Sequence, residues 1–213
     1  MITNYKLAIF DLDGVIVDTA KYHFLAWREL ADRLGFEFTL EHNERLKGVS
    51  RDRSLEILLE VGGLTDAFTA EERHTMASEK NARYVEYIHQ VTHDELLPGA
   101  EALLIELKNR GIKIALGSAS KNAPIILERL GITGLFDIII DGNATQTAKP
   151  DPEVFLLSAQ ALGIDPKDCV VFEDAQAGIE AAIAAGMTPI AVGSPDNLTG
   201  AVMYVENLGE ILL

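Results

Sequence analysis

The sequence predicts an α/β protein: a doubly wound (Rossmann-like) parallel sheet with an all-helical module inserted into it. Three features carry that reading. From about Leu96 onward, short apolar runs alternate with helical patterns, the rhythm of parallel βαβ units. Between about Ile16 and Thr92 the pattern is helical throughout, with no convincing strand. Ahead of that stretch, the apolar run Leu7-Ala8-Ile9 ends abruptly in the acidic segment FDLDGVIVDT.

The elements follow in order. Leu7-Ala8-Ile9 reads as a buried strand, and Gly14 lets the chain turn away from it. Val17-Asp18-Thr19 is a polar start signal for the helix AKYHFLAWRELADRLG, which makes Asp18 structural. SRDRSLEILLEVGG and TAEERHTMASEKNARYVEYIHQV are further amphipathic helices, and Trp27 recurs at helical spacing with apolar neighbours, as a core residue does. GAEALLIELKNRG reads as a helix ended by Gly111, and IKIALGSAS as a strand. KNAPIILERLGI is a helix with Pro124 near its first turn and Gly131 as its stop. FDIIID is a strand, PDPEVFLLSAQALGI a helix, DCVVFED a strand with Cys169 packed inside it, AGIEAAIAAGM a helix and TPIAVGS a strand. The expected division is a core of residues 1–15 and 93–213 with a helical domain of residues 16–92.

A chain of 213 residues suits one domain carrying a smaller insert, and 48% hydrophobic residues are ample for a packed core. The net charge of −15 opposes a nucleic acid or an anionic membrane as partner, because both are repelled at long range. A small anionic ligand stays open, provided a few cations converge on it. One cysteine excludes an internal disulfide framework. No apolar run has the length to cross a bilayer, and the N-terminus lacks a signal-peptide pattern. A cytoplasmic monomer acting on a small molecule is expected.

In open parallel sheets ligands bind outside the carboxyl ends of the strands. The first strand ends there in Asp11 and Asp13, which an extended backbone would project to one side. The others offer Ser118 and Ser120, the connection Thr147-Ala148-Lys149-Pro150, and Glu173 with Asp174. Crowded carboxylates are costly unless a cation or a shared proton offsets them. Carboxylates from two strand ends suit Mg²⁺. A lysine and a serine suit the equatorial oxygens of a phosphoryl group, and one aspartate can attack phosphorus while the other carries a proton. Any one of these residues alone is more simply a turn former or helix cap; four strand ends with complementary chemistry point to phosphoryl transfer.

With those residues in place, the chain resembles the haloacid dehalogenase superfamily of phosphotransferases, helical-cap class. The matching motifs are DLDGV (Asp11 to Val15), the serine of SAS (Ser118), AKPDP (Ala148 to Pro152) and FEDAQAG (Phe172 to Gly178), in the family's order and across nearly the whole core. Within that class DLDGVIVDTAKYHFLAW, LKGVSRDRSLEILL, GSASKNAPIILERL and EDAQAGIEAAIAAG are similar to the mutases of β-glucose phosphates. The resemblance implies interconversion of β-glucose 1-phosphate and glucose 6-phosphate, through an aspartyl-phosphate enzyme and β-glucose 1,6-bisphosphate as primer and intermediate. It makes Asp11 the nucleophile and Asp13 the acid/base, with Ser118 and Lys149 holding the phosphoryl group. It puts one Mg²⁺ on Asp11, the backbone carbonyl of Asp13 and Asp174, with Glu173 beside it. Gly48, Val49, Ser50 and Arg51 would take the sugar and its distal phosphate, with Ser120, Lys121 and Asn122 on the core side. His23 would couple closure of a helical lid to Asp13; Lys47 and Lys80 match positions with conformational or substrate-binding roles. Gly117 before the serine and Ala175 after the acidic pair are soft departures that remove no chemical group.

Two other functions compete. A Mg²⁺-dependent sugar-phosphate phosphatase would use the same core motifs, without a bisphosphate primer. A noncatalytic sugar-phosphate-binding module would have no use for a nucleophile and acid pair.

Overall fold

The structure, a computed structural model, describes residues 2–46, 50–194 and 197–211. The chain divides into two compact units, Met1–Asp18 with Val91–Leu213, and Thr19–Gln90.

The first unit is a six-stranded sheet in the order β3-β2-β1-β4-β5-β6. Its strands are β1 (Leu7–Phe10), β2 (Lys113–Gly117), β3 (Ile138–Ile140), β4 (Cys169–Glu173), β5 (Thr188–Val192) and β6 (Met203–Val205). All five pairings among the described residues are parallel. Every residue of β1 and β4 is buried, as in strands covered on both faces, which is why they read as unbroken apolar runs. Phe10 and Phe172 are register partners on β1 and β4, and their rings stack at 4.5 Å. The stack sits one residue before Asp11 and Glu173, so the same register brings those two carboxylates abreast. The crossover helices of this unit, here numbered after the helical unit's four, are α5 (Ala100–Asn109), α6 (Ala123–Leu130), α7 (Glu153–Leu162) and α8 (Gln176–Ala184). The order matches a doubly wound sheet, whose direction of winding reverses between β1 and β4.

The second unit is helical: α1 (Ala20–Leu34), α2 (Leu40–Glu44), α3 (Arg51–Val61) and α4 (Ala70–Ile88). Its core gathers Trp27, Leu30, Phe38, Leu55, Leu58 and Leu59, so Trp27 is a packing residue. Ser50 caps α3 through the Arg53 N–H at 3.2 Å. Thr69 and Glu72 form a capping box at the start of α4. No helix among the described residues is long and apolar enough to cross a membrane.

Four details differ from the sequence reading. Val17 bridges to Asp13 and to Leu96, so the first unit extends to Asp18 and does not stop at residue 15. It resumes at Val91, whose carbonyl accepts a hydrogen bond from Arg129 Nε at 3.3 Å, two residues before the expected 93. Thr19 precedes α1 without capping it by its side chain: its ψ of 1° is not the extended geometry of a capping residue, and its hydroxyl accepts from Tyr84 at 3.2 Å. The short elements α2 and β6 had no sequence signal strong enough to announce them.

Candidate active site

Within the sheet unit, the carboxyl ends of β1 and β4 form one polar cluster. Asp11 follows β1 directly, is 8% exposed, and donates its backbone N–H to the Phe172 carbonyl at 3.0 Å. Lys149, from the connection between β3 and α7, places its ammonium 2.6 Å from Asp11 Oδ1 and 2.5 Å from Glu173 Oε1. Glu173 ends β4 and is 1% exposed; its other oxygen accepts the Ala175 N–H at 3.0 Å. The Lys149 ammonium also lies 4.9 Å from the centre of the Phe155 ring, an apolar wall that sequence reasoning did not identify. Burial alone would push the Lys149 ammonium down, but the charges of Asp11 and Glu173 outweigh it and hold the group up. Burial drives the Glu173 carboxyl up, against the pull of Lys149.

Asp174 stands next to this trio. Its carboxyl is pushed up to about 8 by burial and by the carboxylates of Asp11, Glu173 and Asp13. The residue nonetheless keeps solvent exposure, so water screens part of that burden. Gly14 takes a left-handed φ of +74°, and a Cβ there would fall 1.9 Å from Asp174 Oδ2. Only glycine meets both conditions, which ties the turn after Asp13 to the position of Asp174. Ser118 follows β2, is buried, and accepts the Ser120 N–H on its Oγ at 3.1 Å. Ser120 in turn accepts the Asn122 N–H at 3.3 Å, which holds residues 118–122 in a chain of tight turns.

The donor set fits a hard divalent cation. Asp11, Glu173 and Asp174 put carboxylates at neighbouring strand ends, Asp13 is near enough to raise Asp174, and Lys149 is the ammonium bonded to Asp11 and Glu173. No group of three or more His, Cys, Asp or Glu side chains among the described residues is gathered for a metal. Mg²⁺ needs no such group, because it is commonly bound by one or two carboxylates with other oxygens completing the set.

The helical unit holds a second cluster of a different character. Lys80 is 3% exposed, and its ammonium lies 2.8 Å from His23 Nδ1. Trp27 and Tyr84 face that ammonium with their ring centres at 4.3 and 5.3 Å, and His23 stacks on Tyr84 at 3.9 Å. Arg51 begins α3 and donates to Asn81 Oδ1 at 2.8 Å. Burial, then the neighbouring Arg51 charge, bring the Lys80 ammonium down to about 7. Burial, then Lys80 and Arg51, hold the His23 imidazole well below its usual range. A neutral imidazole accepting at Nδ1 carries its proton on Nε2. The arrangement sets the Lys80 ammonium and a neutral His23 in an apolar surrounding, with the Arg51 charge near enough to lower both. Of the residues expected at this site, Ser50 spends its hydroxyl on the α3 cap, and Lys47, Gly48 and Val49 lie outside the described residues.

This burial has a measurable consequence. A drop of the Lys80 ammonium from 10.5 to about 7 corresponds to about 5 kcal/mol of charge-burial cost. The two ring contacts offset about 2 kcal/mol of it. The folded value lies below the unfolded one, so wild-type stability rises with pH between about 7 and about 10. Below that window the ammonium is charged in both states and the full cost stands. Lys80→Met is therefore expected to stabilise the chain by about 2–3 kcal/mol near pH 6–7, with the gain fading toward pH 10. Urea unfolding across pH 6 to 10 checks this; a pH-independent difference would show that Lys80 is not buried as a charge.

Comparison with known proteins gives four findings. Residues 5–186 match the family model for haloacid dehalogenase-like hydrolases. The chain is 45% identical over 98% of its length to a β-phosphoglucomutase of Bacillus subtilis, covering 92% of that protein. It is also 33% identical to a phosphorylated carbohydrates phosphatase of Thermotoga maritima, covering 87% of this chain and 83% of that one. Among solved structures, the β-phosphoglucomutase of Clostridium difficile superposes with a TM-score of 0.89 at 46% identity, over 98% of this chain and 93% of that one.

Proposed function

This chain belongs to the haloacid dehalogenase-like hydrolase family, and from that membership we propose that it interconverts β-glucose 1-phosphate and glucose 6-phosphate. The observation that carries the reading beyond phosphoryl transfer is a second pair of cationic side chains, Arg51 and Lys80 with the neutral His23 bonded to Lys80, on a unit separate from the core carboxylates. A hydrolase of monophosphates needs one phosphate site. A mutase must hold a phosphate at each end of a bisphosphate, and so needs two. The likeness to the Bacillus subtilis mutase supports the same reading.

In this proposal Asp11 attacks phosphorus, forming an acyl phosphate as the bond to the sugar oxygen breaks. Lys149, paired to Asp11 at 2.6 Å, would neutralise the equatorial oxygens, and the buried Ser118 hydroxyl would donate to one of them. Asp13 gives a proton to the departing sugar oxygen and takes one from the hydroxyl that attacks in the reverse half-reaction. The family implies a divalent metal; Asp11, the Asp13 carbonyl and Asp174 would hold Mg²⁺, with Glu173 beside it, and the ion would neutralise charge on the transferring phosphoryl group. Ser50 and Arg51 would take the distal phosphate, and Ser120, Lys121 and Asn122 the sugar on the core side. The chain would act as a cytoplasmic monomer on this small molecule, primed by β-glucose 1,6-bisphosphate.

The phosphatase reading is the alternative, favoured by the likeness to the Thermotoga maritima enzyme. One assay separates the two. β-Glucose 1-phosphate and Mg²⁺ are supplied with and without a trace of the bisphosphate, and glucose 6-phosphate and free phosphate are followed separately. Primer-stimulated glucose 6-phosphate without matching phosphate is expected. Steady phosphate release alone would replace the mutase with the phosphatase.

A further inference from the structure

Strand β3 runs straight into Asp141, a residue 9% exposed that stands outside the chemistry described above. Asp141 Oδ1 accepts the Asn143 backbone N–H at 2.9 Å, and Oδ2 accepts the Asn143 side-chain amide at 3.0 Å. With one amide hydrogen held there, the same nitrogen donates to the Lys121 carbonyl at 3.0 Å. Between them, the Gly142 N–H donates to the Ser120 carbonyl at 3.3 Å. A Cβ on Gly142 would lie 2.2 Å from the Ala119 carbonyl oxygen, so backbone meets backbone where no side chain fits. Asp141, Gly142 and Asn143 thus clasp the segment from Ala119 to Lys121 at consecutive points.

We infer that Asp141 and Asn143 are positioning residues that set recognition of the sugar phosphate by holding Ser120, Lys121 and Asn122 in place. The inference rests on the reading of those three residues as substrate contacts. Lys121 is exposed and has a long flexible stem. A side chain of that kind contributes to binding only if the backbone beneath it is fixed, because otherwise ordering it cancels the gain. Ser118 is joined to Ile140 by the sheet itself, its N–H donating to that carbonyl at 3.0 Å. The backbone of the phosphoryl site is therefore anchored by the sheet, and the clasp reaches it only through the Ser120 N–H on the Ser118 hydroxyl, whereas the two residues beyond Ser120 depend on the clasp directly. Loss of the clasp should separate the two sites functionally.

Asn143→Ala tests this with two substrates. β-Glucose 1-phosphate reports on the sugar contacts, and an aryl phosphate such as p-nitrophenyl phosphate reports on the phosphoryl site alone. The KM for β-glucose 1-phosphate is expected to rise about five- to tenfold, the scale of one lost hydrogen bond. Its kcat and the aryl phosphatase rate should stay within about twofold of wild type. In a Lys121→Ala background the same substitution should change KM by less than about twofold, because a shared path makes the effects non-additive. Asp141→Asn, which is isosteric and sets amide against amide, should give the same split if Asn143→Ala melts early. Parallel loss on both substrates would make the clasp a general brace and overturn the inference, as would an unchanged KM. An undiminished effect in the Lys121→Ala background would overturn it too. A Lys121→Ala variant that itself keeps the wild-type KM would remove the substrate contact, and the inference with it, while leaving the assignment of the catalytic core untouched.

Discussion

Asp11→Asn is expected to lower turnover by about four orders of magnitude or more while leaving the fold intact. The substitution is isosteric. The amide oxygen can still accept from Lys149, and the backbone bond to Phe172 is untouched. What disappears is the charged oxygen that attacks phosphorus, and an amide supplies no substitute at neutral pH. No phosphate adduct should appear in the intact mass after incubation with a phosphodonor, where wild type should show one. The electrostatics point the opposite way for stability. Asp11 is one of the carboxylates that push up Asp174 and Glu173, so its neutralisation relieves both. Lys149 keeps Glu173 as its partner at 2.5 Å. In chelator the variant should therefore melt at the wild-type temperature or slightly above it, and the rise produced by adding Mg²⁺ should shrink, since a charged ligand is gone. An Asp11→Asn protein that turns over like wild type would sink the covalent mechanism. One that is inactive but unfolded would leave the loss attributable to folding, which is why melting is measured alongside.

The core site was legible in the sequence because its chemistry lies where the fold repeats itself. Strands buried on both faces read as apolar runs, so the residues at their ends stand out as polar interruptions. Asp11, Ser118 and Glu173 are all of that kind. Lys149 stands out as the cation in the connection after the third strand, and its double ion pair is a fact of tertiary structure. Elements of three to five residues were less legible. β6 is too short for an alternation, and α2 is held by a capping box in which His42 stands where glutamate or glutamine is usual. In the helical unit, α4 is polar along most of its length, so nothing in its pattern marks Lys80 as buried between Trp27, Tyr84 and His23. Asp141 closes the apolar run FDIIID and a turn follows it at Gly142 and Asn143; the grip of Asn143 on Lys121 joins segments twenty-two residues apart, beyond the reach of local pattern.

Lys149→Met should produce the largest combined loss, and the reason lies in what the lysine leaves behind. Its side chain is 10% exposed, and its ammonium bridges two carboxylates whose side chains are 11% and 1% exposed. Breaking a buried pair by removing one partner typically costs about 3–5 kcal/mol, because the stranded charge stays desolvated. Glu173 has an escape, since burial already raises its carboxyl and it can take up a proton. In the variant its folded value lies above the unfolded one, so the native state binds more protons across that interval. Stability is then retained at low pH and lost as pH rises through the raised value. The deficit against wild type, measured by urea unfolding in chelator, should accordingly be larger at pH 8 than at pH 5. Turnover should fall with it, because the phosphoryl oxygens lose their cation. A second substitution separates the stranded charge from simple loss of packing. Lys149→Met with Glu173→Gln removes both ends of the tighter pair and should regain most of the lost stability without regaining activity. If the double variant is as unstable as the sum of the single changes, Lys149 and Glu173 are not energetically coupled. The ion pair at the end of β4 would then be a consequence of the fold and not one of its supports.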